Sequence, residues 1–145
     1  MNLTASSWLF WALLSAVFAA LTAIFAKVGV EGINSDLATF IRTLVVVATL
    51  GVLLAATGQF QAPGSISGRS YLFLLLSGLG TGASWLCYFR ALKLGEAAKV
   101  APIDKLSVVF VAIIAAVFLG EKLSPVNWLG VSLIAAGAAL VAVRI

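Results

Sequence analysis

Apolar residues fall into five long stretches, roughly 7–26, 37–56, 71–92, 100–120 and 126–143, divided by short polar segments at 29–36, 58–69, 93–99 and 121–125. A helix of about 20 residues rises roughly 30 Å, the thickness of the hydrocarbon layer. Each stretch is therefore long enough to cross a bilayer once. The pattern predicts an all-α, polytopic membrane protein with five transmembrane helices, about 7–27, 36–56, 70–93, 99–120 and 126–144, forming one domain over residues 1–145. Glycine, serine and proline are dense in 58–69, which reads as the longest exposed loop. Ser35 or Asp36 can cap the second helix, and Ser124 followed by Pro125 suits the start of the fifth.

The first stretch is apolar and rich in alanine, as a secretory signal is. It departs from a signal in having no Lys or Arg before residue 8, a longer apolar run and no clear small-residue cleavage site ahead of Lys27 and Glu31. Trp8 and Trp11 instead suit an interfacial anchor at the start of a retained helix.

Composition strengthens the membrane reading. At 63% hydrophobic residues, a chain this small has too few polar side chains to cover the surface of a soluble domain. Lipid is the expected solvent and the first expected partner. A net charge of +4 would suggest nucleic acid in a soluble protein, but the basic residues here stand near helix ends, so no nucleic-acid partner is expected. Histidine is absent and Cys87 is the only cysteine. That leaves no imidazole base, no intrachain disulfide and no ligand spacing for a zinc or iron site. Neither a metal nor a cofactor is expected, and no nucleophile-plus-base pairing suggests an enzyme.

Charged residues inside the stretches are the candidates for chemistry. The apolar run 106–120 spans only about 22 Å, so the fourth helix must reach back to about Val100, which carries Asp104 and Lys105 inside the membrane boundary. A charge at mid-helix costs roughly 2.5–3.5 kcal/mol, and such residues commonly face a cavity, a partner or a pathway. Lys105 can snorkel to the interface, whereas a short aspartate cannot. Asp104 reads either as part of a polar cavity or gate, or as a helix-end residue satisfied locally. Arg42, about two turns into the second helix, either snorkels or pairs its planar fork with a carboxylate or an anionic solute group. Trp85 and Tyr88, three residues apart on the third helix, can line a small-molecule pocket or simply pack. Arg90 reads as positional. Gly78 and Gly82, with Gly130 and Gly137 on the fifth helix, mark small-residue faces for close helix packing.

The runs Ala101-Pro102-Ile103-Asp104-Lys105-Leu106-Ser107-Val108-Val109-Phe110, Phe118-Leu119-Gly120-Glu121-Lys122-Leu123 and Asn127-Trp128-Leu129-Gly130, then Ala136-Gly137-Ala138, resemble the EamA domain of the drug/metabolite transporter superfamily. Tyr88-Phe89-Arg90-Ala91-Leu92-Lys93-Leu94-Gly95 and Arg42 also suit it, so the resemblance covers nearly the whole chain. Many members carry proline where Val108 stands, and most contain two such domains. The Pro102 to Ser107 pattern is similar to the small five-helix bacterial and archaeal branch. The resemblance implies a multi-pass protein of the cell (inner) membrane that exports small metabolites, amino-acid-like solutes or drug-like compounds by alternating access. Arg42, Trp85, Tyr88, Asp104, Lys105 and Ser107 are its expected substrate-binding or gating residues, around a cavity between helices one to four.

Five helices are an odd number, so two such units related as inverted repeats must insert in opposite orientations. The expected assembly is a homodimer, antiparallel in the leading arrangement, with parallel and heteromeric pairs as alternatives. Two other functions stay open at this point. A small multidrug cation/proton antiporter would carry an acid deep in its first helix, and none lies before Lys27. A non-transporting membrane scaffold would carry no solute.

Lys27, Lys93, Lys99 and Arg144, with Arg90, outnumber Arg69 and Lys122 on the opposite side, which by the positive-inside rule puts the C-terminus in the cytoplasm. That margin is small enough to admit copies in both orientations. Reporters fused to the C-terminus should therefore be active on both membrane faces, and activity on one face alone would exclude the antiparallel homodimer.

Overall fold

A computed structural model describes the backbone of residues 3–143 and the side-chain environments of residues 8–143. Arg144, counted above in the charge balance, lies outside the described residues. Helices α1 (Leu3–Gly29), α2 (Ser35–Thr57), α3 (Gly68–Leu94), α4 (Ala97–Asp104), α5 (Ser107–Ile114) and α6 (Pro125–Ala142) account for nearly all of the described chain, which contains no strand. Five helical segments are long and apolar enough to cross a membrane: Trp8–Gly29, Ser35–Thr57, Gly68–Leu94, Ala97–Leu119 and Pro125–Ala142. Large apolar side chains stand open to the surroundings all along them, among them Phe25, Val52, Leu74, Val117 and Leu140. Such surface is stable only in lipid or against another chain.

The helix ends follow the turn chemistry of the sequence, with one correction. Asn34, rather than Ser35 or Asp36, caps α2: its side-chain oxygen accepts from the amides of Asp36 at 2.8 Å and Leu37 at 3.2 Å. This frees the Asp36 carboxylate for a contact described below. Gly58, in the left-handed conformation at φ 64°, closes the other end of α2, as glycine does without steric cost. Ser124 accepts from the Asn127 amide at 3.2 Å and Pro125 opens α6, as the sequence suggests.

The fourth span differs from the uninterrupted helix expected over 99–120. It starts at Ala97 and is broken at Lys105–Leu106 into α4 and α5. Pro102 has no N–H for the carbonyl of Ala98, and its ring disfavours a straight continuation. Downstream the ladder tightens, with the amides of Leu106, Val108 and Val109 each bonded three residues back, to Ile103, Lys105 and Leu106. The span then widens into a π turn over Ala115–Leu119, where Gly120 and Glu121 both donate to the Ala115 carbonyl. Only a residue tolerant of φ 68° fits at Gly120, which gives the Leu119-Gly120-Glu121 run its physical sense.

The chain forms two compact units. One comprises Ala26–Lys93: the end of α1, all of α2 and most of α3. Its buried residues, Ala26, Val30, Ser35, Ala38, Thr39, Phe89 and Leu92, all belong to the end where α1 finishes, α2 begins and α3 finishes. Between Gly68 and Ser84, by contrast, every residue of α3 is exposed. The other unit comprises the chain through Phe25 and from Leu94 onward. Within it α6 packs against α4 and α5, and Ala23, Ala115 and Ala138 are buried.

Gly120→Ala should destabilise the protein by about 1 kcal/mol, since alanine disfavours the left-handed conformation. Gly51→Ala, inside α2 with open space around it, should not. Unfolding of the two variants in mixed micelles checks this, and equal losses would contradict the conformational argument.

Candidate functional site

The Ala26–Lys93 unit is tied at one end by three cations. Lys27 Nζ donates to the Leu92 carbonyl at 2.7 Å, and Lys93 Nζ to the Ile33 carbonyl at 2.5 Å. Arg90 makes a two-pronged pair with Asp36, Nε to Oδ1 at 3.0 Å and Nη2 to Oδ2 at 2.7 Å. These contacts also satisfy carbonyls at helix ends, which in lipid have no water to turn to. The Arg90 and Asp36 side chains are 59% and 46% exposed. A pair this open fixes geometry more than it adds stability, so the positional role expected of Arg90 holds, with Asp36 as the partner that sequence reasoning did not name.

Arg42 is placed differently. It lies on α2, about 10 Å along the axis from the start of that helix at 1.5 Å per residue. Its guanidinium carbon sits 3.8 Å from the centre of the Trp85 ring and 5.6 Å from that of Phe89, both on α3. Arginine over tryptophan is the favoured cation–π combination, worth about 2 kcal/mol or more when desolvated. Tyr88, three residues from Trp85, is half-buried and near enough to Arg42 to interact with it electrostatically. Arg42, Trp85 and Tyr88 are thus brought together, and Phe89, 3% exposed, joins them as a member the sequence reading missed. Counting outward from the loop could have found these pairings. Asp36 and Arg90 lie equally far from Gly58 and Gly68, and Arg42 and Trp85 match to within one residue.

Asp104, Lys105 and Ser107 lie in the other unit, at the break between α4 and α5. Lys105 Nζ donates to Asp104 Oδ2 at 3.2 Å. Asp104 ends α4, Ser107 opens α5, and the break lies about 12 Å into the span. Lys105 and Leu106 keep right-handed helical dihedrals, so the break is a local tightening of the hydrogen-bond ladder. Gly78, Gly82, Gly130 and Gly137 have open space within 4 Å of where a Cβ would stand. Among the described residues no cluster of His, Cys, Asp and Glu could hold a metal.

Five lipid-exposed spans, one of them broken beside an ion pair and another bearing an arginine held on aromatic rings, define a multi-pass membrane protein with polar groups at depth. The chain matches the EamA-like transporter family over residues 6–143, and it belongs to that family. It is also 69% identical over 137 residues to a protein of Sinorhizobium sp. named "Uncharacterized transporter in cobO 3'region", a match covering 94% of this chain and 97% of that protein. No solved structure matches. The chain is a membrane transporter.

If the Arg42–Trp85 stack is a working contact, a double-mutant cycle on Arg42→Gln and Trp85→Leu should give a coupling of roughly 1 kcal/mol in unfolding free energy. Additive losses would mean the two side chains are neighbours without interaction.

Proposed function

We propose that the chain is a secondary transporter of the inner membrane that exports small metabolites, amino-acid-like solutes or drug-like compounds by alternating access. The observation that carries this reading is the broken fourth span with Asp104 and Lys105 paired at the break. Discontinuous helices of transporters place charged side chains and free backbone groups where solute or coupling ion passes. Asp104 is the group for a coupling proton, Lys105 its gating partner, and Ser107 a polar neighbour at the start of α5. Arg42, Trp85 and Tyr88 form the solute-binding wall.

The working unit is proposed to be a homodimer. Five spans make half of an inverted repeat, and a second copy in the opposite orientation supplies the other half. Gly78 and Gly82 on α3, and Gly130 and Gly137 on α6, have nothing within 4 Å of where a Cβ would stand, and residues this small permit close approach by another helix.

Flux of amino-acid-like and drug-like solutes in proteoliposomes, with and without a pH gradient, tests the proposal. The gradient should accelerate flux through the unaltered protein and have no effect on Asp104→Asn. A gradient response unchanged in that variant would remove Asp104 from coupling. No flux under any condition, with a protein partner copurifying, would replace transport by a scaffolding role.

A further inference from the structure

At the helix ends of the Ala26–Lys93 unit three of the cations are supplied with oxygen, while Arg69, beside the loop, lies 5.8 Å from the centre of the Phe73 ring. Lys27 and Lys93 have carbonyls, and Arg90 has a carboxylate. In the other unit Lys99 and Lys105 each have a carboxylate, from Glu96 and Asp104. Arg42 lies deeper in its helix than any of the first three, and among the described residues no carboxylate or carbonyl oxygen pairs with it. Its one face is taken by the Trp85 ring. An aromatic face compensates the charge in part but offers nothing to in-plane N–H donors, which a guanidinium directs outward in a fork matched to a planar oxyanion.

Snorkelling does not account for this arrangement. Towards the end where Asp36 meets Arg90, α3 carries Tyr88 and then Phe89, the latter one turn nearer that end than Trp85. A guanidinium reaching for the interface would approach Phe89 more closely. Instead it lies 3.8 Å from the deeper ring and 5.6 Å from the shallower one. The stack holds the charge down while, among the described residues, no carboxylate or carbonyl oxygen meets its hydrogen-bonding edge.

We propose that the edge of Arg42 is a binding site for a carboxylate, so that the transported class is small organic acids with an apolar or aromatic body. This rests on the transport reading above. Trp85 and Phe89 orient the fork. The apolar body follows from the surroundings, which are Trp85, Phe89 and, one turn along α2, the half-buried Val46. Two charges meeting in a poorly solvated place attract far more strongly than in water, whereas a neutral solute would leave the guanidinium uncompensated. The same oxyanion chemistry is available from a lipid phosphate, so the test must separate the two sources.

Of the four tryptophans, Trp8, Trp11 and Trp128 are changed to phenylalanine, leaving Trp85 as the reporter. The protein in nonionic detergent is titrated with hexanoate and phenylacetate and, in parallel, with hexanamide and phenylacetamide. The acids should shift the Trp85 emission saturably and the amides should not, a comparison that leaves the site intact. Arg42→Lys, which keeps the charge and loses the fork, should bind the acids about tenfold more weakly or worse. Equal responses to acid and amide, or no response to either, would overturn the site. In nanodiscs of phosphatidylcholine the acids should act as they do in detergent. If phosphatidylglycerol reproduces the shift and acids then add nothing, the anion is a headgroup and the solute site falls. Arg42-dependent binding without flux of the same acid in liposomes would keep the site and remove the transport reading. Acid flux that survives Arg42→Gln would do the reverse.

Discussion

A cation inside a bilayer has to find oxygen in the protein, at the interface or on a bound solute, because the hydrocarbon supplies none. This constraint organises the Ala26–Lys93 unit. Lys27 and Lys93 bind the last carbonyls of neighbouring segments, Arg90 grips Asp36, and the buried residues Val30, Thr39, Phe89 and Leu92 gather at the same end. The result is a hairpin fastened firmly at one end. That fastening sets the register of α2 against α3 and so brings Arg42 opposite Trp85. A charge that would otherwise be expelled is retained by an aromatic face, and among the described residues no carboxylate or carbonyl oxygen pairs with it.

The other unit meets the same constraint by a different route. Pro102 interrupts the ladder of the fourth span, and an adjacent carboxylate and ammonium, Asp104 and Lys105, occupy the interruption as a neutral pair. Farther along, a π turn and the left-handed Gly120 end the span. The two features interrupt the regular hydrogen-bond ladder, and the first adds charge, in a segment that a simple anchor would build as a continuous apolar helix. Membership of the EamA-like transporter family agrees with that contrast.

The spans were legible in the sequence because hydropathy and length are set by the bilayer, and the cap at Ser124 because turn chemistry is local. The cap of α2 was placed one or two residues late, since Asn34, Ser35 and Asp36 are all competent and only the pull of Arg90 on Asp36 decides between them. The break at Lys105–Leu106 was missed although Pro102 announced it, because the apolar run hid the missing N–H. Arg42, Trp85 and Tyr88 were recognised by type. Their meeting depends on helix pairing, which hydropathy does not encode, and Phe89 gave no signal apart from its spacing.

The central claim is that the hydrogen-bonding edge of Arg42 holds a solute carboxylate within the membrane. Solid-state NMR on the reconstituted protein, with guanidinium nitrogens labelled and a carbon-13-carboxyl organic acid added, measures that contact directly. The account predicts dipolar coupling corresponding to a carbon–nitrogen separation of roughly 4 Å, absent when Arg42 is replaced by glutamine. Coupling of the Arg42 guanidinium to lipid phosphorus, with none to the carboxyl carbon, would contradict it.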